Sequence, residues 1–230
     1  MLIIIDAHLP DKVVENLRPF GNVFQLQSKD LVYDSISGHP DIFIFQMEKL
    51  VIIAPNAPQD MIDALKTHRI PFLKGKEKLG PKFPNTALYN AVTTNDFLIH
   101  RENHSTKCIH RLNETKKFIR VSQAYTRCNL LALPDGSFIT SDLGIVKALQ
   151  EEGIETHYFS SNDVILNGHD HGFLPGALGV FNQQVFILGS LEHFSEGERL
   201  TALLESKSLK IIELYKGPIL DGGGIFFLNA

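Results

Sequence analysis

Four times in 230 residues the same order of local signals returns: two short apolar runs, an amphipathic helix and a third apolar run. The repeats are spaced by roughly forty to fifty residues, the interval at which stacked or radial repeat architectures occur. In the first, 42–45 and 49–54 read as strands, 58–66 as a helix with Met61, Ile62 and Leu65 on one face, and 70–73 as the return strand. The second set is 88–94, 97–100, the helix 106–113 and 118–122. In the third, 129–133 and 138–140 flank a Pro134-Asp135-Gly136 turn, a helix over 142–151 stops at Gly153, and 156–159 returns. The fourth is 177–181, the turn Asn182-Gln183-Gln184, 185–188, the helix 196–204 and 210–214.

The two ends of the chain each hold part of a fifth set. Residues 2–5 read as a strand, Pro10-Asp11-Lys12 opens a helix through Leu17, and 23–26 returns, but no leading strand precedes them. At the other end, the glycine triplet Gly222-Gly223-Gly224 lets the backbone turn through conformations closed to other residues, and 225–228 follows as a buried strand without a unit. A buried strand needs partners for its backbone groups, and the best available is the other apolar terminus. The expected fold is therefore α/β, a five-unit pseudo-symmetric propeller forming one domain over 1–230, its ring closed by pairing of the N- and C-terminal strands.

Charge excludes some function classes. With 22 basic and 26 acidic residues spread along the chain there is no basic stripe for nucleic acid. The N-terminus lacks the pattern of a signal peptide and no apolar run approaches the ~18 residues of a membrane span, which reads as a cytoplasmic protein without a membrane partner. Two cysteines, Cys108 and Cys128, are too few for a disulfide framework, and a reducing compartment keeps both as thiols. A loop rich in Gly, Pro and Lys over 75–85 separates the first repeat from the second.

The repeat order, together with Asp221-Gly222-Gly223-Gly224, Gly168-His169-Asp170-His171, His39-Pro40-Asp41, Gln123 to Cys128 and Thr140-Ser141-Asp142, resembles the pentein superfamily of guanidino-group-modifying enzymes. The resemblance covers the whole chain as topology. It looks closer to a bacterial branch of no assigned activity that lacks the usual C-terminal catalytic cysteine. Penteins of the deiminase type place Ile, His and then a nucleophilic Cys after their C-terminal glycines. Here Ile225 matches, but Phe226 stands for the His and Phe227 for the Cys, and phenylalanine cannot form the covalent intermediate. Gly168-His169 matches the superfamily's Gly-His pair, with His171 where an Asp is expected.

Laid over one another at their leading strands, the units put Asp41, Asn90, Cys128 and Gly224 at comparable positions facing a common centre, with Asp221 beside them. Convergent polar groups in an apolar setting are the usual form of a small-molecule site. Each also has an ordinary reading: Asp41 as a cap after Pro40, Asn90 as an acceptor for backbone donors, Cys128 as a small buried hydrophobe. Asp6, His8 and Asp142 follow the second strands, and Asp142 also reads as a helix cap. His100, His104 and Cys108 have ligand-like spacing but span a strand and a helix, so no metal site and no cofactor are expected.

Three functions compete. In the first, a small guanidino or amino-acid-like molecule binds at the centre through Asp41, Asn90, Asp142, Asp221 and Gly224, without cysteine chemistry. In the second, Cys128 is the nucleophile of a hydrolase acting on a C–N bond, with His39, His169 or His171 as base. In the third, the centre is packed and the protein is a structural or interaction subunit. The sequence leaves the oligomeric state open.

Overall fold

The computed structural model describes all residues 1–230. Element β1 (Leu2–Asp6) leads into α1 (Asp11–Leu17) and β2 (Asn22–Leu26). A helical turn, α2 (Pro40–Phe43), precedes β3 (Ile44–Gln46), β4 (Val51–Ile53), α3 (Gln59–Thr67) and β5 (Phe72–Lys74). Next come β6 (Val92–Thr93), β7 (Phe97–His100), α4 (Lys107–Leu112) and β8 (Lys117–Arg120). A second helical turn, α5 (Thr126–Asn129), opens β9 (Leu130–Ala132), β10 (Phe138–Thr140), α6 (Leu143–Gln150) and β11 (Thr156–Tyr158). The short β12 (Val164–Ile165) and a 3₁₀ turn at Leu174–Ala177 lead to β13 (Leu178–Phe181), β14 (Gln184–Ile187), α7 (Gly197–Ser206) and β15 (Lys210–Glu213), and β16 (Ile219–Leu220) and β17 (Phe226–Leu228) complete the chain.

The strands form five three-stranded sheets and one two-stranded pair, β12 with β16, and no sheet closes on itself. Four of the five sheets share one pattern: an antiparallel hairpin whose second strand pairs in parallel with the strand after the helix, as β3, β4 and β5 do. A parallel partner requires a crossover, and the helix supplies it. The fifth sheet is assembled from both ends of the chain, with β1 parallel to β2 and antiparallel to β17 through Leu2 with Leu228, Ile3 with Phe227 and Ile4 with Phe226. The expected pairing of the terminal strands is present.

Side-chain alternation explains why the runs 2–5 and 225–228 are apolar throughout. Ile3, Ile5, Ile225 and Phe227 enter one hydrophobic core with Phe186 and Leu200. Leu2, Ile4, Phe226 and Leu228 enter a second with Phe43, Phe45 and Met61. Successive residues on a strand point to opposite faces, so a strand between two cores has no polar side. The helices bury one stripe each, Val13, Val14 and Leu17 on α1 and Met61, Ile62 and Leu65 on α3.

Three details depart from expectation. Residues 42–43 and 129 lie in the helical turns α2 and α5, because a short apolar run reads the same in either conformation. Only Val92–Thr93 of the run 88–94 is strand, since backbone groups ahead of it are committed elsewhere: the Leu88 carbonyl accepts from Thr106, Asn90 N–H donates to the Ala87 carbonyl, and the Asn90 carbonyl accepts from Thr126 and Arg127. The β13–β14 loop has two residues, Asn182 and Gln183, at φ 47° and 59°, and Gln184 already pairs with Phe181. Two left-handed residues are what a tight hairpin with right-twisted strands demands. No helix is long and apolar enough to cross a membrane.

Candidate functional site

Three units deliver side chains to one buried cluster. Asp41 lies on α2, Cys128 on α5, and Asn90 just ahead of β6. Asn90 is the hub: its Oδ1 accepts from the backbone N–H of Arg127 at 2.7 Å and of Cys128 at 3.3 Å. Its Nδ2 donates to the Asp41 carbonyl at 3.1 Å and to Cys128 Sγ at 3.4 Å. The Cys128 thiol in turn donates to Asp41 Oδ2 at 2.7 Å, while Asp41 Oδ1 has no partner. Burial pushes the Asp41 carboxyl up to about 6, against the pull of His39 and the Cys128 hydrogen bond. Burial, reinforced by the Asp41 and Asp221 charges, pushes the Cys128 thiol well above its ordinary value. The thiol is thus a hydrogen-bond donor to a carboxylate, the opposite of an activated nucleophile.

A second constellation lies around His39, which is 1% exposed. Its Nε2 is 3.7 Å from Asp6 Oδ2 and its Nδ1, which has no hydrogen-bond partner, is 4.0 Å from Asp221 Oδ1. Asp221 is fixed by the backbone N–H groups of Gly223 and Phe173, at 3.0 and 2.9 Å. Asp6 accepts from the His8 backbone and ring, both at 2.7 Å. The close packing depends on glycine: a Cβ at Gly176 would overlap the Asp221 carboxylate, and one at Gly223, which sits at φ 67°, would overlap His39.

This constellation forms the wall of a pocket of about 420 Å³, lined by Asp6, His8, Asp34, His39, Asn167 and Asp221 among others, with no Lys or Arg. The volume is that of a small-molecule site. Of the residues singled out from the sequence, Asp6, His8, His39 and Asp221 line it, and Asp41, two residues beyond His39, is buried out of its reach together with Asn90 and Cys128. Gly224 donates to the Gly176 carbonyl at 2.6 Å and packs against Arg127. Asp142 caps α6 by accepting from Ile145 N–H at 3.0 Å.

His169 and His171 are both exposed and form no hydrogen bond with Cys128. His169 Nε2 bonds Ser35 Oγ at 2.8 Å, and His171 Nδ1 lies 2.8 Å from the Gly172 carbonyl. His39 is likewise directed to carboxylates and not to the thiol. His100 Nδ1 lies 2.8 Å from Thr126 Oγ1, His104 Nδ1 2.7 Å from the Glu102 carbonyl and Cys108 Sγ 3.3 Å from Thr106 Oγ1, so the spacing seen in sequence is spent on separate hydrogen bonds. No group of three or more His, Cys, Asp or Glu side chains is placed to hold a metal ion. Asp34 gave no sequence signal, being one polar residue in a polar connection.

A family described as a family of unknown function, DUF6873, matches residues 4–226. The chain belongs to this family. No curated protein matches it in sequence. Among solved structures it is similar to dimethylarginine dimethylaminohydrolase from Pseudomonas aeruginosa, in a mutant complexed with citrulline, at 10% identity and a TM-score of 0.56 over 92% of this chain and 91% of that one. It is also similar to inosamine-phosphate amidinotransferase from Streptomyces griseus, at 14% identity and a TM-score of 0.53 over 90% and 79%. Agmatine deiminase from C. jejuni gives 8% identity and a TM-score of 0.56 over 93% and 87%. All three are penteins, so this DUF6873 chain has a mixed α/β fold of several small sheets matching pentein structures. At such identities the likeness is one of fold alone. Phe227, at the position matched to the superfamily nucleophile, stacks on Phe181 with ring centroids 5.3 Å apart and packs against Phe186 at 4.7 Å.

Proposed function

We propose that the protein is a single pentein-like domain whose five units stand as a propeller-like ring, and that the pocket around His39 binds the cationic head of a small guanidino or amino compound without cysteine chemistry. The observation that carries this reading is charge: Asp6, Asp34 and Asp221 line a pocket of about 420 Å³ that contains no Lys or Arg. Carboxylates lining one pocket without a Lys or Arg favour a ligand that brings a cation. Asp6 and Asp221 present acceptors already oriented by backbone N–H groups. Asp41 contributes negative field from behind His39 and not a direct bond.

Hydrolysis through Cys128 has less support. Its thiol is buried beside the Asp41 and Asp221 charges, which hold it protonated, and no histidine bonds to it, whereas a nucleophilic thiol needs a lowered pKa and access to substrate.

The test is calorimetric titration at neutral pH with agmatine and arginine, against citrulline as a neutral isostere of the head group. The cations are expected to bind and citrulline to bind much more weakly. Asp6→Asn and Asp34→Asn should each weaken the cation by about 1.5–3 kcal/mol where a charged hydrogen bond is lost. Equal affinity for cationic and neutral heads, or indifference to both substitutions, would remove the reading.

A further inference from the structure

A second cavity, of about 580 Å³, shares no lining residue with the acidic pocket. Its walls combine apolar side chains, including Ile44, Leu130, Val180, Ile225 and Phe227, with polar ones such as Gln46, Thr93 and Asn95. Its charged lining is Lys49, Lys116 and Arg127 against Glu48 alone, the reverse of the other pocket. Lys116 stands at the wall with Nζ on Thr93 Oγ1 at 2.8 Å.

Arg127 is the unusual member. Its guanidinium donates to the carbonyls of Pro175 at 3.1 Å and Leu178 at 3.4 Å and lies over the Phe226 ring, 5.4 Å from the centroid. No carboxylate pairs with it, and Asp41 and Asp221 support its charge only from a distance. A guanidinium has five N–H donors, so more than half of them lack a protein partner. A partly buried charge without a counter-ion is costly, and an open cavity beside it is where an anion would sit.

We propose that this cavity is a second small-molecule site, taking a carboxylate carried on an apolar body, with Arg127 as the group that binds the carboxylate. The planar fork of the guanidinium matches a carboxylate, and the two carbonyls that hold it fix its orientation before a ligand arrives. The apolar body packs on Leu130, Val180 and Ile225, and Lys116 adds positive field. The site is independent of the cation pocket, and either could fail without the other.

The probes are hexanoate, hexanol and hexylamine, matched in length, titrated into the intact protein by NMR with the Arg127 Nε–Hε signal as reporter. Hexanoate is expected to bind and to move that signal, hexanol to bind at least about tenfold more weakly for want of the charged hydrogen bond, and hexylamine not to bind. Arg127→Gln should remove the preference for hexanoate over hexanol. Because Arg127 also ties down Pro175 and Leu178, Ala132→Phe provides a second variant, narrowing the cavity from a half-buried wall position without touching the guanidinium. It should abolish hexanoate binding in a folded protein. Absence of hexanoate binding, equal affinity for hexanoate and hexanol, an unmoved Arg127 signal, or undiminished binding in Ala132→Phe would each overturn the proposal.

Discussion

Asp41 carries a pH dependence with a definite sign. Its carboxyl titrates at about 6 in the folded chain against 3.8 ordinarily, so between those values the folded state holds a proton that the unfolded state has released. Its contribution to stability is therefore greatest below pH 4 and is lost as pH rises through about 6. A shift of two pKa units corresponds to about 3 kcal/mol. Replacing Asp41 with Asn should remove that loss: on going from pH 4 to pH 7 the variant should gain about 2 kcal/mol relative to the native protein, measured by urea unfolding at the two pH values. Parallel pH profiles would mean that Asp41 is not held protonated by burial. The neighbouring thiol gives a second prediction. Cys128 is 4% exposed, whereas Cys108 is half-buried, so iodoacetamide at neutral pH should label Cys108 well before Cys128. Mass spectrometry of the labelled protein decides it, and faster labelling at Cys128 would revive the hydrolase reading. That Asp41, Asn90 and Cys128 meet was legible from their equivalent places in the repeats. The pocket was legible only in pieces: Asp6, His39 and Asp221 each carried a signal, but nothing in the sequence joined them to one another or to Asp34, because they sit on segments with no common spacing.

At the scale of elements, β17 is the piece on which most depends. Ile225, Phe226, Phe227 and Leu228 are all buried, two in each of the two large cores, and β17 supplies the only antiparallel partner of β1. At about 1.5–3 kcal/mol for each large buried side chain, their loss rivals the whole stability of a typical domain. Deleting 225–230 should thus abolish cooperative folding, seen as loss of the thermal transition in circular dichroism. A truncated protein that melts at the native midpoint would show that β1 does not need this partner. The sequence identified these strands because runs of Ile and Phe without polar alternation fit a strand between two cores. It did not reveal the helical turns α2 and α5, which set Asp41 and Cys128 within hydrogen-bond reach, since a four-residue turn has too few positions to show a period.

For the whole molecule, the cores cross the boundaries of the repeats. One joins side chains of β1, β10, β14 and β17, and the other joins β1, β3, β4, β7 and β17. A core shared in this way cannot lose one unit without exposing apolar surface of others. Unfolding in urea should consequently be one transition, with far-ultraviolet circular dichroism and tyrosine fluorescence changing together. Two separated transitions would divide the chain into independent parts and count against a single domain.

What the sequence determined by itself is the repeat: the order of strand, strand, helix and strand, the pairing need of the two apolar ends, and the absence of a cysteine where Phe227 stands. These are local patterns, set by periodicity and residue type along a few consecutive positions. Only the tertiary structure decided which polar groups share a pocket, that the Cys128 thiol donates its hydrogen bond to Asp41 and not to a histidine, and that Arg127 lines a cavity with no carboxylate paired to it. Those outcomes depend on side chains far apart in the chain, whose distances and burial fix charge and reactivity, and no local pattern encodes a distance.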